Sequence, residues 1–192
     1  MKKFFSEIPH IVNGSLELRK AELSDVNGLR ELVECDEVYR YLPTFLFEKK
    51  YDSAEEVITR LYDECLESSL ILGIFYNGEF CGLAEFYGYS APFLKISVGY
   101  RLIPRFWGKG IASETLGMMV DWLFCKTDIK IITASVMPEN KASAGVLKKN
   151  GFKCAVYSVF ENWGYPHLTK ADKYIKTAKD YRKGYSFKDI MR

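Results

Sequence analysis

The sequence predicts an α+β (mixed α/β) fold: a central, mostly antiparallel sheet with one parallel strand–helix–strand crossover and flanking helices. Three observations predict it. Asn77 and Gly78 join two apolar runs. Strand-like runs are interspersed with segments of helical periodicity. Between Phe93 and Val136 a strand, a glycine-bearing turn, a helix and a β-branched run follow one another, as in a right-handed parallel crossover. No linker interrupts the 192 residues, so we expect a single domain over 1–192 with its core at about 16–177.

The elements of the first half follow from periodicity and caps. Alternation over 16–20 predicts a strand, and Ser24-Asp25 predicts the N-cap of a helix. Residues 53–56 match a capping box and predict a second helix, with Tyr62 and Leu66 on its apolar face. The strands 70–76 and 79–89 flank Asn77-Gly78, which favours a type I′ turn because both residues tolerate positive φ.

The second half supplies the crossover and a closing strand pair. A strand over 93–103 precedes a helix whose core-facing stripe is Ala112, Thr115, Leu116, Met119, Val120 and Leu123. The β-branched run 130–136 predicts a strand buried on both faces. A helix from about 140 to 150 ends at Gly151, a left-handed C-cap. Residues 154–160 and 172–177 predict an antiparallel pair.

Composition excludes several classes of protein. With 48% hydrophobic and 27% charged residues, the chain is not disordered. No apolar run approaches the ~20 residues of a membrane span, and the N-terminus lacks a signal-peptide core, so we expect a cytoplasmic protein without a membrane partner. A net charge of +2 argues against a dedicated nucleic-acid binder. Five widely spaced cysteines and two histidines indicate no metal site, and the thiols are expected to be reduced and mostly buried.

The residues with most chemical content lie at 101–113, RLIPRFWGKGIAS. Gly108 and Gly110 would let the backbone approach an anion, and a helix N-terminus favours phosphate. Arg105 and Lys109 add charged donors. A Walker A loop would require Lys-Ser or Lys-Thr after Gly110, where this chain has Ile111-Ala112. A dinucleotide fingerprint would require a glycine at position 113, which is a serine. Both kinds of phosphate loop are therefore excluded.

The run RFWGKGIA at 105–112 resembles the acyl-coenzyme A loop, R/Q-x-x-G-x-G/A, of the GCN5-related N-acetyltransferase (GNAT) family. Gly99-Tyr100 upstream, and NKAS at 140–143 and KNGF at 149–152 downstream, are similar to the branch that acetylates ribosomal-protein alanine N-termini and spermidine. The resemblance spans roughly 16–177. It implies an acetyl-CoA-dependent N-acetyltransferase that acts on a primary amine (a polyamine, a small-molecule amine or a protein N-terminus) by direct attack in a ternary complex.

The resemblance also implies where acetyl-CoA binds. The strand ending at Ile103 would diverge from the strand 130–136, with the pantetheine arm between them. Backbone groups of 101–103 would pair with the arm, and amides of 108–113 would hold the pyrophosphate. Asn140 equally suits a helix N-cap. The expected cofactor-binding residues are Arg101, Leu102, Ile103, Arg105, Trp107, Gly108, Lys109, Gly110, Ile111, Ala112, Ser113, Asn140 and Ser143.

Two positions depart from the family pattern. Ser97 occupies the place of a frequent glutamate, and Leu147 the place of a frequent tyrosine acid. The candidate catalytic residues are therefore Glu85 as base, Ser143 as donor to the thiolate, His167 as base if the loop 163–167 covers the cleft, and Ser97 by its position. Each has an ordinary alternative, such as a solvated carboxylate or a loop histidine. The departures also favour the alternative function, a non-catalytic acyl-CoA-binding or sensor module.

Charge is unevenly divided along the chain. Residues 1–90 carry a net charge of −8, and residues 91–168 and 169–192 carry +5 each. Seven acidic residues of the first half either bind a cationic acceptor or form a solvated helix face. They are Glu48, Asp52, Glu55, Glu56, Asp63, Glu64 and Glu67. An aromatic connection either walls the cleft or packs in the core, through Tyr39, Tyr41, Phe45 and Phe47.

The C-terminal segment leaves two partner hypotheses open. Its basic side chains suit either a surface helix that contacts nucleic acid or a closing strand, with Lys170, Lys173, Lys176, Lys179, Arg182 and Lys183. Exposed strand edges near this segment are compatible with a homodimer.

Overall fold

The computed structural model describes residues 7–65 and 69–184, with the backbone alone for 62–65 and 183–184. In this part of the chain eight strands form one sheet in the order β1-β2-β3-β4-β5-β6-β8-β7. Only β5 and β6 are parallel, which confirms the predicted mostly antiparallel fold. The strands are β1 Ile11–Asn13, β2 Leu16–Arg19, β3 Leu70–Tyr76, β4 Glu79–Ser90, β5 Lys95–Leu102, β6 Ile131–Val136, β7 Lys153–Glu161 and β8 Thr169–Thr177.

Six α-helices flank the described sheet. The helix Val26–Val33 (α1) packs on β4 and on the helix Ala54–Cys65 (α3). The helix Ile111–Lys126 (α4) packs on β5, on the helix Lys141–Lys149 (α5) and on the hairpin of β1 and β2. The predicted stripe of α4 is confirmed, with Thr115, Leu116 and Leu123 fully buried. None of the helices in residues 7–65 and 69–184 is long and apolar enough to cross a membrane. The helices are α1 Val26–Val33, α2 Asp36–Tyr39, α3 Ala54–Cys65, α4 Ile111–Lys126, α5 Lys141–Lys149 and α6 Ala178–Gly184.

Turns and caps agree with the sequence at three places. Asn77 and Gly78 have φ of 51° and 79°, as a type I′ turn between β3 and β4 requires. The N–H of Glu56 donates to Ser53 Oγ (3.1 Å), so the predicted side-chain cap of α3 is present. Gly151 closes α5 with φ of 76°.

Two local features differ from the predictions. Asp25 occupies the N-cap position of α1, as predicted, but its side chain makes no cap hydrogen bond. Its carboxylate instead accepts the N–H of Glu22 (2.9 Å) and binds Arg19, which builds a 3₁₀ turn before the helix. β6 is not buried on both faces, because Ile131, Thr133 and Ser135 are only half-buried. The half-buried face of β6 includes the polar side chains of Thr133 and Ser135, and a β-branched run alone does not reveal this partial exposure.

The structure adds elements that the sequence did not predict and resolves the C-terminal segment. β1 and α2 are too short to show a period. Lys170, Lys173 and Lys176 belong to β8, whereas Lys179 and Arg182 belong to α6, so the basic residues share no single helix face. The side chain of Lys183 and those of Tyr62 and Leu66, predicted on the second helix, lie outside the described residues.

The thiols differ from expectation as well. Cys81 is buried, but Cys35 and Cys154 are half-buried and Cys125 is exposed, so the described thiols are not mostly buried. The side chain of Cys65 is outside the described part.

Candidate active site

A cavity of about 820 Å³ opens where β5 and β6 separate. The two strands pair only from Lys95 to Ser97, opposite Ile131–Thr133. Beyond that point 98–102 of β5 and 134–136 of β6 line opposite walls of the cavity. The predicted divergence of the two strands is therefore present, and strand-backbone groups border the space between them.

The turn before α4 forms one wall of the cavity. Gly108 and Gly110 have φ of 72° and 83°, and no atom lies within 4 Å of where a Cβ would be built at either residue. Gly110 is the N-cap of α4, and none of the described side chains caps this end. At this end of α4 the N–H of Ser113 donates to the carbonyl of Gly110 (3.0 Å), so the first-turn N–H groups left for an anion are those of Ile111 and Ala112. They stand at the positive end of the helix dipole, an arrangement that fits a pyrophosphate. The predicted residues of this wall that line the cavity are Trp107, Gly108, Gly110, Ile111, Ala112 and Ser113.

Arg105 does not point into the cavity. Its Nε and Nη2 donate to the two carboxylate oxygens of Glu31 (2.8 and 3.0 Å), and its Nη1 donates to Glu79 (2.5 Å). Lys109 is exposed, with its ammonium 5.5 Å from the ring centroid of Phe106. Both side chains thus lie outside the cavity lining of the described residues.

Two further expected cofactor residues have their backbone groups occupied. Ile103 is buried outside the lining, and its N–H donates to the carbonyl of Cys81 (2.9 Å). The carbonyl of Leu102 accepts the indole N–H of Trp107 (2.7 Å), although Leu102 does line the cavity. The strand backbone available to a ligand therefore lies nearer Val98 than the segment 101–103 that was predicted from the sequence.

The first turn of α5 approaches β5 across the cavity. Asn140 is its N-cap and accepts the N–H of Ser143 (3.0 Å). The hydroxyl of Tyr100 lies 3.2 Å from Ser143 Oγ, and all three residues line the cavity. Burial raises the pKa of Tyr100 to about 12, against a smaller opposing effect of the Ser143 hydrogen bond, so the phenol is a neutral donor at neutral pH. Tyr100 is a polar site residue that sequence reasoning missed, although it stands in the Gly99-Tyr100 pair.

Glu85 lines the cavity opposite Gly99 in the β4–β5 register. Its carboxylate accepts from Nη1 of Arg101 (3.1 Å), and Nη2 of the same guanidinium donates to Glu48 (2.6 Å). Burial raises the pKa of Glu85, and the charge of Glu48 adds to this effect while Arg101 opposes it. A carboxylate with a raised pKa beside a cavity is a stronger base than an ordinary glutamate, which makes Glu85 a candidate general base.

Two other catalytic candidates lie outside the cavity lining. Ser97 Oγ is 2.8 Å from Thr133 Oγ1, at the last residue pair that joins β5 to β6. His167 is exposed and stacks on Tyr165, with 6.0 Å between ring centroids. Position 147, where the family pattern frequently has a tyrosine acid, holds a leucine that is buried in the core.

The loop after β7 nevertheless borders the cavity through Asn162 and Trp163. Its Trp163 carbonyl accepts the N–H of Thr44 (2.9 Å), and the hydroxyl of Tyr165 donates to the carbonyl of Leu42 (2.8 Å). Trp163 and Glu161 line the cavity. The carboxylate of Glu161 accepts the Trp163 indole N–H and pairs with Lys173.

The acidic residues proposed for the acceptor side lie elsewhere. Glu48 is buried on Arg101, while Glu55 pairs with Arg30 and Glu56 with Arg60. None of these glutamates lines the cavity, nor does the exposed Asp52, and the side chains of Asp63, Glu64 and Glu67 lie outside the described residues. The acidic side chains that do line it are Glu37, Glu85 and Glu161.

The aromatic connection contributes both to the cavity wall and to packing beneath it, the two alternatives that the sequence left open. Tyr41 and Phe45 line the cavity. Tyr39 donates to Glu48 (3.0 Å), and Phe47 packs on Tyr51. Half of the connection is therefore cavity wall and half is packing around a buried carboxylate.

Comparison with known proteins agrees with this geometry. The family model described as "Acetyltransferase (GNAT) domain" matches residues 15–153. The uncharacterized N-acetyltransferase p20 of Bacillus licheniformis is 29% identical over 141 residues, which cover 72% of this chain and 79% of that relative. Mycobacterium smegmatis RimJ in complex with CoA-disulfide superimposes with a TM-score of 0.76 at 21% identity, covering 94% of this chain and 91% of that one. A RimL ribosomal L7/L12 alpha-N-protein acetyltransferase in complex with coenzyme A gives a TM-score of 0.74 at 24% identity, covering 89% and 98%.

The family model and the named relatives thus define the class of this protein, an acyltransferase. The chain belongs to the GNAT acetyltransferase family, and it is an N-acetyltransferase. Acetyl-CoA, the acetyl donor of this family, is its cofactor. The family, the enzyme class and the cofactor expected from the sequence are confirmed.

Proposed function

We propose that this N-acetyltransferase transfers the acetyl group to a primary amine by direct attack in a ternary complex, with the α-amine of a peptide or protein as the favoured acceptor. One observation carries the proposal. A single cavity contains the uncapped start of α4, the Tyr100–Ser143 pair and the carboxylate of Glu85. The likeness to RimL, a ribosomal L7/L12 alpha-N-protein acetyltransferase, supports the choice of acceptor.

The chain's own residues divide the binding of the donor between backbone and turn. Amides of Gly108 and 110–112 would hold the pyrophosphate, and the strand edge at 98–101, which does not pair with β6, would receive the pantetheine amides. Acetyl-CoA supplies an activated thioester carbonyl. Arg105 would act by holding the turn to α1 and β4 through Glu31 and Glu79, since its donors are occupied there.

Glu85 and the Tyr100–Ser143 pair would handle the protons. An amine attacks only in its neutral form, so a carboxylate with a raised pKa at the cavity wall suits removal of the ammonium proton. The departing thiolate requires a proton, and Ser143 can donate one while Tyr100 replenishes it across 3.2 Å. A backbone N–H of the diverging strand β5 would stabilise the oxyanion.

The acceptor would enter between the loop 41–46 and the loop after β7. Tyr41, Phe45 and Trp163 provide apolar and aromatic walls, and Glu37 and Glu161 provide negative charge. A peptide N-terminus combines one ammonium group with an apolar backbone and first side chain, which matches these walls. A cationic acceptor would therefore be recognised by Glu37 together with Glu85, since Glu161 is already paired with Lys173.

Acetyl transfer to matched peptides tests the proposal. The purified full chain is incubated with acetyl-CoA and a short peptide that carries a free N-terminal serine or alanine, and with the same peptide blocked at its N-terminus; spermidine serves as the polyamine probe. We expect free thiol to be released in step with acetylated free-amine peptide in mass spectra, and no product from the blocked peptide. Acetylation of spermidine alone would overturn the choice of a peptide acceptor.

A non-catalytic acyl-CoA-binding module is the second candidate, and one observation favours it. Ser97 and Leu147 supply neither the carboxylate nor the phenol that the family resemblance leads us to expect at these positions. Calorimetric binding of acetyl-CoA without turnover of any of the three probes would support the sensor and contradict the enzyme's proposed mechanism.

A further inference from the structure

A buried cluster of one guanidinium and two carboxylates lies beside the cavity. The side chain of Arg101 is 3% exposed; its Nη2 donates to Glu48 (2.6 Å), its Nε also contacts Glu48, and its Nη1 donates to Glu85 (3.1 Å). Because one positive charge faces two carboxylates, full ionisation would leave an excess negative charge in a site of low dielectric.

The two carboxylates of this cluster are held differently. The side chain of Glu48 is 1% exposed and meets two nitrogens of Arg101 and the hydroxyl of Tyr39 (3.0 Å). The side chain of Glu85 is 16% exposed, receives one nitrogen of Arg101 and faces the cavity. Glu85 is therefore the member that can exchange a proton with a ligand, and Glu48 is the member that fixes the guanidinium.

Glu48 also connects the cluster to the acceptor side. It lies in the 3₁₀ turn Phe47–Lys49, immediately after Phe45 and Leu46, which line the cavity. β5 carries Arg101 and borders the donor side of the same cavity. The ion pair thus joins the acceptor loop to the strand that carries the reacting groups.

We propose that Glu48 and Arg101 are positioning residues for acetyl transfer, which hold the Glu85 carboxylate at the cavity and set its charge state. The proposal rests on the proposed function, since it gives the base of that reaction its setting. The charges act in opposite directions: the Glu48 charge raises the pKa of Glu85, whereas Arg101 lowers it. The other titratable and charged groups near the cluster are Tyr39, Tyr87, Glu161 and Lys173.

Substitution of Glu48 tests the proposal without requiring activity. The full chain is labelled with ¹³C at glutamate side-chain carboxyls, and the Glu85 resonance is assigned by its loss in E85Q. In E48Q the amide keeps an acceptor for Arg101 but removes one charge, so the titration midpoint of Glu85 should move to lower pH by about one unit. E56Q, which removes an exposed carboxylate paired with Arg60, is the matched control and should leave the midpoint unchanged. An unchanged or raised midpoint in E48Q would overturn the proposal.

R101K supplies the opposite perturbation if E48Q does not fold. Lysine cannot bridge both carboxylates, so the Glu85 midpoint should rise and kcat should fall about tenfold or more, while the KM for acetyl-CoA stays within about twofold. In pH–rate profiles with one free-amine peptide, the acid limb should follow the same shifts in both variants. If E85Q keeps the wild-type rate and acid limb, the base in the proposed function is wrong; if E85Q loses them but E48Q and R101K do not move the limb, only the positioning role is wrong.

Discussion

Replacement of Tyr100 by phenylalanine separates proton donation from packing at the α5 side of the cavity. The substitution keeps the ring and removes a hydroxyl that lies 3.2 Å from Ser143 Oγ. Since this is a long hydrogen bond between neutral groups, its loss should cost about 0.5–1 kcal/mol of unfolding free energy. General-acid catalysis contributes roughly 10²–10⁴-fold, and Ser143 remains as a donor, so we expect kcat to fall about tenfold to a hundredfold.

A double-mutant cycle shows whether the two hydroxyls form one relay. Initial rates of thiol release from acetyl-CoA are measured for Y100F, S143A and the double variant, with the same free-amine peptide throughout. A relay predicts that the double variant is no slower than S143A, because Tyr100 acts only through Ser143. Multiplying effects of the two substitutions would contradict the relay, and a wild-type kcat in Y100F would contradict any donor role.

Two measurements keep the interpretation of Y100F specific. Y157F removes the hydroxyl of a 70% exposed tyrosine on β7 and should leave kcat unchanged. With the pKa of Tyr100 raised to about 12 by burial, its ionisation contributes no limb below about pH 10. The pH–rate profile of Y100F should therefore keep the wild-type shape between pH 6 and 9, at a lower height.

Three further predictions concern the turn, the sheet and the buried carboxylate. Gly110→Ala places a side chain on a residue with φ of +83°, so it should lower the free energy of unfolding in urea by about 1–2 kcal/mol and weaken the binding of CoA measured by calorimetry. Gly145→Ala in α5 is the control: no atom lies within 4 Å of its new Cβ, and the variant should not be destabilised. Gly82→Ala places a Cβ 2.1 Å from the carbonyl oxygen of Arg101 and should abolish soluble expression or the folded near-UV spectrum; a stable Gly82→Ala protein would refute this β4–β5 register. Burial raises the pKa of Glu85, so the folded protein holds the proton of this carboxyl to higher pH than the unfolded protein does, and wild-type stability falls as pH rises through that interval. The melting temperature of E85Q should therefore equal that of wild type at low pH and exceed it at pH 8. A lower melting temperature of E85Q than of wild type at pH 8 would contradict this prediction.

Local signals predicted the elements that build the site, because each depends on neighbours in sequence. The Asn77-Gly78 turn, the start of α4 after Gly110 and the N-cap at Asn140 follow from a few adjacent residues. The divergence of β5 from β6 came from the family resemblance. These elements place the donor side of the cavity, which explains why most of the expected cofactor residues line it.

Side-chain partners across long sequence separations could not be predicted. Arg105 meets Glu31 across 74 residues and Glu79 across 26, and Arg101 meets Glu48 across 53. Many carboxylates in the first half could have paired with either arginine, since spacing does not determine which of them the fold brings close. A glycine-rich loop with two arginines thus indicates an anion site, but the number of arginines that remain free for the anion is a property of the tertiary structure.

In the proposed function, the departures at positions 97 and 147 would be compensated by groups that the fold brings to the cavity. Gly99 has no side chain, and a Cβ built there would lie 4.0 Å from the Glu85 carboxylate, so a carboxylate of β4 can reach the cavity across β5. Tyr100 brings a phenol from β5 to the same turn of α5 that Ser143 occupies, while Leu147 packs in the core. A carboxylate and a hydroxyl pair therefore border one cavity even though neither stands at its usual position. For this reason the absence of a motif residue is weak evidence for a non-catalytic protein: the chemistry requires a group at a place in space, and an adjacent strand can supply it.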